Sequence, residues 1–146
     1  MKEEDVTKAL LTRLEEKGWT IVCYDFPQSG TGVMIHHNTR NSKNKDSFIP
    51  DIVAHKEGTV LFFENKDRFV YSDFVKVEFL RTTNDYSSDI TELLDGIEYS
   101  RILYGVGMPY SVNAIRNTKV NLEMVDFAVL IDNGNFIQVQ KSLLDF

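Results

Sequence analysis

Charged residues stand at the margins of two short apolar runs. Pro50-Asp51 opens the run Ile52-Val53-Ala54, and Glu64-Asn65-Lys66 closes the run Val60-Leu61-Phe62-Phe63. Two carboxylates brought to one place bind a hard divalent cation through oxygen, and Mg²⁺ is the usual occupant of such a site. The cation polarises a phosphoryl oxygen, offsets the extra negative charge of the transition state and acidifies a bound water. A lysine beside it orients that water or stabilises the developing charge. The same residues admit a plainer reading. Asp51 then ends a strand in a solvated turn, and Glu64 and Lys66 form a surface ion pair worth little.

The elements between these residues favour convergence. Residues 48–55 and 59–66 read as strands, and Lys56-Glu57-Gly58 between them is a hairpin turn signature. Antiparallel strands so joined bring the start of the first beside the end of the second. Period-two alternation places Glu64 and Lys66 on one face and Asn65 on the other. Asp51, Glu64 and Lys66 are thus expected at one end of a sheet, at the margin of a buried hairpin.

The rest of the chain supplies a scaffold. Val6, Ala9, Leu10 and Leu14 recur at helical spacing, and Gly18 stops them as a C-cap glycine would, which predicts a helix over 3–17. Residues 19–24 are rich in β-formers. Residues 71–80 read as a helix, and Ser88 as the N-cap of another that runs to Leu94. Residues 101–106 read as a strand and 109–123 as partly helical. Residues 125–132 and 136–140 form a hairpin across Asn133-Gly134-Asn135. The order α-β-β-β-α-(α)-β-α-β-β predicts an α/β fold, a mixed sheet flanked by helices, in a single domain over 1–146.

The motif resembles that of the PD-(D/E)XK nucleases, the restriction-endonuclease-like superfamily. The resemblance extends to helix 1, Gly18-Trp19, a strand, the Ser29-Gly30-x-Gly32 loop, Pro50-Asp51-Ile52-Val53-Ala54 and the Glu-x-Lys strand. That order is similar to the one in archaeal Holliday-junction resolvases, and it covers residues 3–68. It implies an αβββαβ core, here with an added C-terminal helix and β-hairpin. It implies catalytic Asp51, Glu64 and Lys66, with Mg²⁺, or Mn²⁺ in its place, on Asp51, Glu64 and the Asn65 backbone carbonyl. Many members add an acid from helix 1. Alignment on Gly18 puts Thr7 where that acid is expected, with Glu4 and Glu3 one turn earlier; Glu4 is the expected ligand and Glu3 its near equal. Residues 84–100 and the stretch Tyr104-Gly-Val-Gly-Met-Pro109 have no counterpart in the resolvase pattern.

Composition narrows the partners. The chain has 146 residues, 42% hydrophobic and 26% charged, in the ordinary globular range. Its net charge of −6 argues against nucleic acid as a whole-molecule property. The charge is segregated, however. Residues 84–100 carry only acids, which read as a solvated helix face or a surface for a basic partner. Residues 27–45 carry none. Ser29, Gly30, Arg40, Lys43 and Lys45 are therefore the expected DNA contacts, and Lys8 and Arg13 on helix 1 mark a competing route. The expected activity is Mg²⁺-dependent endonucleolytic cleavage of DNA in restriction, repair or junction resolution. The length suits a homodimer or a small structure-selective enzyme. The competing class is a non-catalytic interaction protein that keeps the fold.

Other motifs carry less. His36 and His37 are adjacent, face opposite ways on a strand and do not share a metal. Gly30-x-Gly32 lacks the lysine and helix of a phosphate loop, so no nucleotide cofactor is expected. Gly105-Val-Gly107 reads as a tight strand end. Cys23 lies in an apolar strand and reads as a small core residue; a single unpaired cysteine and an acidic N-terminus fit a cytoplasmic protein. No apolar run is long enough to cross a membrane.

Overall fold

The hairpin signature at residues 56–58 produces a two-residue turn. Glu57 and Gly58 take positive φ values of 49° and 84°. That backbone matches the right-handed twist of the strands it joins. The strands are β2 (Ile52–Lys56) and β3 (Thr59–Asn65), paired antiparallel from Lys56↔Thr59 to Ile52↔Phe63. The structure is a computed structural model that describes residues 1–26, 35 and 47–139.

β3 then pairs in parallel with β4 (Arg101–Pro109), and β4 in parallel with β5 (Phe127–Asp132). Parallel neighbours need crossover connections. The first is made by α2 (Tyr71–Thr82) and α3 (Ser87–Leu93), the second by α4 (Val112–Val120) and a 3-10 turn at Leu122–Met124. At the edges β1 (Thr20–Tyr24) lies antiparallel to β2, and β6 (Asn135–Gln138) antiparallel to β5. Strand order is β1-β2-β3-β4-β5-β6, a six-stranded mixed sheet. The expected α/β class, with helices on the sheet faces, is what the chain adopts. Among the described residues no helix is long and apolar enough to cross a membrane.

Strand alternation sorts the core onto two faces. Leu61 and Phe63 join Ile52, Phe127 and Val129 beneath α1 (Glu3–Glu16), which presents Val6, Leu10 and Leu14. Val60 and Phe62 join Val106 and Met108 beneath α2, α3 and α4, which present Phe74, Val77, Ile90 and Ala114. Burying about 25 cal/mol per Å² of apolar surface on both faces makes the sheet a rigid platform for whatever stands at its edge.

Some boundaries differ from expectation. β2 begins at Ile52 rather than at residue 48, because Phe48 pairs instead with Ile35, donating its N–H to the Ile35 carbonyl at 2.8 Å. Ser88 lies inside α3, whose N-cap is Tyr86. Tyr86 packs edge-on against Phe48 and Phe79, so tertiary anchoring rather than a hydroxyl cap sets that start. In the acidic stretch, Ile90 and Leu94 are buried while Asp85, Glu92, Asp95 and Glu98 are exposed.

Gly105 and Gly107 do not end a strand. They lie within β4, paired to Phe63 and Asn65, and the strand continues to Pro109. A Cβ at Gly105 would run into the Phe127 ring, and one at Gly107 would sit 2.5 Å from Asn65 Oδ1 and 2.6 Å from Leu10 Cδ1. The missing side chains let neighbouring groups close over the sheet.

Candidate active site

The hairpin register positions the acids. Continued one residue past Ile52↔Phe63, it sets Asp51 across from Glu64. The Asp51 N–H donates to the Phe63 carbonyl at 2.9 Å. Its Oδ2 accepts the Asn65 backbone N–H at 2.7 Å. Asp51 is only 7% exposed. Like charges directly opposed on antiparallel strands repel, and burial sharpens this. Burial and then the Glu64 carboxylate push the Asp51 carboxyl up to about 8; Glu3 and Asp25 add to the rise, and the Asn65 N–H opposes it. Glu64 is raised above the usual carboxylate range, chiefly by burial, with Asp73 adding to the rise and Lys76 and Lys66 opposing it.

Two lysines attend this pair. Lys76, from α2, donates to Glu64 Oε1 at 3.1 Å. Lys66 lies just past the end of β3, where its N–H donates to the Gly107 carbonyl at 3.0 Å. Its Nζ stands 3.4 Å from Glu3 Oε1 on α1 and 3.9 Å from Asp73 Oδ2 on α2. Partial burial pulls Lys66 down, but Asp73, Glu3 and Glu64 outweigh it and hold the ammonium above the ordinary lysine value. Lys66 therefore sits between the two helix layers as a fixed cation.

Asp51, Glu64, Asn65 and Lys66 thus meet at one end of the sheet, as the sequence led one to expect. Asn65 faces the other way, towards α1, where its Nδ2 donates to Thr7 Oγ1 at 3.0 Å. Both residues are fully buried. Thr7, at the position where an acid was sought, fastens α1 to β3 instead. The acid that α1 brings to the site is Glu3. The expected Glu4 turns outward and pairs with Lys8 at 3.0 Å on the surface. One residue along a helix is a rotation of about 100°, and the buried stripe of Val6, Leu10 and Leu14 decides which acid faces in.

Sequence reasoning missed Asp73, Lys76 and Asp25. Asp73 and Lys76 lie three apart on α2, and Asp73 shares the buried stripe of Val77 and Leu80. A charge inside an apolar stripe was the available sign of a second role. Asp73 Oδ2 is buried and makes no hydrogen bond. Asp25, beyond β1, donates its N–H to the Asp51 carbonyl at 3.0 Å. Cys23 is a free, half-buried thiol pushed up to about 11 by burial, which fits a core residue and not a nucleophile. Ser29, Gly30, Gly32, His36, His37, Arg40, Lys43 and Lys45 lie outside the described residues.

The donor set bears on which ion fits. Among the described residues no group of three or more His, Cys, Asp or Glu is arranged to cage a metal. Asp51 and Glu64 form a pair of hard oxygen donors whose repulsion a cation would relieve. Mg²⁺ keeps several waters and is held through one or two carboxylates, so a pair fits it where a Ca²⁺ or Zn²⁺ cage is not supplied. No family model, no curated protein and no solved structure matches this chain.

Proposed function

We propose that this chain is a Mg²⁺-dependent endodeoxyribonuclease of the PD-(D/E)XK type, with a restriction-endonuclease-like core. The observation that carries the reading is the β2–β3 register, which opposes Asp51 to Glu64 with Lys66 beyond them. Asp51, Glu64 and the Asn65 carbonyl would hold the ion. When bound, it supplies Lewis-acid charge at a phosphoryl oxygen and acidifies a water.

The chain's own groups do the positioning. The Asn65 N–H fixes the Asp51 carboxylate, and the Asn65–Thr7 bond ties that strand end to α1. Glu3 and Asp73 keep Lys66 charged and aimed between the helices, where its ammonium donates to the scissile phosphate or to the attacking water. Lys76 balances Glu64. Incubation with plasmid, linear, branched and single-stranded DNA tests the reading. Mg²⁺ or Mn²⁺ should permit cleavage of at least one of them, and Asp51→Ala should abolish it. Equal product from the wild type and Asp51→Ala refutes the assignment.

The Lys76–Glu64 ion pair favours a second reading, a non-catalytic interaction protein whose acids carry internal counter-ions. Calorimetric titration with Mn²⁺ separates the two. A scaffold with a neutralised pair takes up no ion, whereas the nuclease binds it through Asp51 and Glu64. Cytoplasmic location and homodimeric cleavage belong to the same proposal.

A further inference from the structure

We propose that the outer face of α4, with Arg116 and Lys119, is a docking surface for the phosphate backbone of DNA. This rests on the nuclease reading and says where the substrate lies. Residues 99–122, like 27–45, contain no Asp or Glu. Within the first of these stretches the chain runs from β4 into α4. β3 and β4 run parallel, so both end at the same edge of the sheet, and Lys66 bonds to Gly107 there. The chain leaves β4 at Pro109, and Ser111 caps α4 by accepting the Ala114 N–H at 2.9 Å. α4 therefore starts from the same edge of the sheet at which β3 ends and Lys66 stands.

The orientation of α4 follows from its packing. Ala114 and Thr118 are buried, Ala114 in the same apolar cluster as Phe74, Val106 and Met108. That puts α4 on the sheet face that carries Glu64 and α2. Asn113, Arg116 and Lys119 then repeat every three residues along the exposed side. Arg116 bonds to Asn113 Oδ1 at 3.1 Å, and neither Arg116 nor Lys119 meets a carboxylate among the described residues. Lys8, Lys66, Arg68, Lys76 and Arg81 all do.

Charge complementarity names the occupant. At the site the carboxylates of Glu3, Asp25, Asp51, Glu64 and Asp73 outnumber Lys66 and Lys76. A polyanion approaching that edge needs cations on its flank, and bound metal provides part of them. Arg116 and Lys119 supply two more, with Asn113 as a neutral donor. Such groups set position without reading sequence.

The test is binding of a fluorescein-labelled DNA duplex to the full chain in Ca²⁺, followed by anisotropy between ~50 and ~200 mM salt. The double variant Arg116→Gln/Lys119→Gln should bind more weakly. Its slope of log K against log salt should shrink by about 1.8, at about 0.9 for each phosphate that the variant no longer neutralises. Lys8→Gln, which removes a cation paired on α1, should leave the slope unchanged. A double variant with the wild-type slope overturns the inference, as does an equal loss in Lys8→Gln. Equally tight, equally salt-dependent binding of polyglutamate overturns it in favour of an acidic protein partner. Wild type that binds no DNA refutes the nuclease reading along with it, whereas wild type that binds while the double variant is unaffected removes α4 alone.

Discussion

Replacing Asp51 by Asn should make the metal-free protein more stable at neutral pH. The folded-state carboxyl is held at about 8, first by burial and then by Glu64, against about 3.9 in an unfolded chain. A carboxyl raised in the folded state binds its proton longer than the unfolded chain does. Below pH ~3.9 both states are protonated and nothing is lost. As pH rises from there towards 8, stability falls by about 1.4 kcal/mol per unit. At pH 7 that span amounts to a cost of about 4 kcal/mol, an upper bound. Asn keeps an oxygen for the Asn65 N–H but leaves its own amide N–H groups to find partners, at about 1–3 kcal/mol. The net expectation is a gain of about 1–3 kcal/mol at pH 7, vanishing or reversing at pH ~4. Trp19 is the one tryptophan and is buried, so urea unfolding followed by its fluorescence reports the fold. Added Mg²⁺ should raise the stability of the wild type and not that of the variant, because only an ion bound to the folded state shifts the equilibrium. A variant less stable than wild type at pH 7 in chelator would refute the reasoning. So would a gap between the two proteins that stays constant from pH 4 to 7.

Lys66→Ala should lower turnover by orders of magnitude while leaving Mn²⁺ affinity largely intact, because the role proposed for the ammonium belongs to the transition state; weakened metal affinity with normal turnover at saturating Mn²⁺ would contradict this. Gly107→Ala should destabilise the fold by about 2 kcal/mol or more, since its Cβ meets Asn65 Oδ1 at 2.5 Å and Leu10 at 2.6 Å in a packed interior. Urea midpoints measure it, and an unchanged midpoint would show that α1 can move away from the sheet.

The site is acid-rich at its centre and guarded by fixed cations, and that arrangement sets its behaviour. Lys66 and Lys76 reach it from different elements, one just past β3 and one from α2. Each stands against a carboxylate that the other does not touch. Removal of either lysine therefore leaves a different acid uncompensated, and the two variants need not share a phenotype. The charges are unevenly placed, with α4 free of acids and α3 carrying them, and the proposed polyanionic substrate depends on that placement against a net charge of −6.

Much of this protein was legible from residues close together in the chain. Lys56-Glu57-Gly58 and Asn133-Gly134 each make a turn at positive φ, and a tight turn fixes the register of the strands it joins. The first of these registers is what sets Asp51 across from Glu64, so the heart of the site was readable before any fold was seen. Helix 1 and its stop at Gly18 were local for the same reason. Only the tertiary structure decided the rest. Parallel pairing of β3, β4 and β5 depends on residues far apart in the chain coming together, and no short pattern specifies it. That pairing places Gly107 against Asn65, where there is no room for a Cβ, and lets α4 start from the sheet edge at which Lys66 stands. The choice of Glu3 over Glu4 follows from how α1 rotates to bury Val6, Leu10 and Leu14, a property of packing rather than of either acid. Asp73, Lys76 and Asp25 join the site from α2 and from beyond β1, because the sheet edge they share is assembled only when both layers close on it.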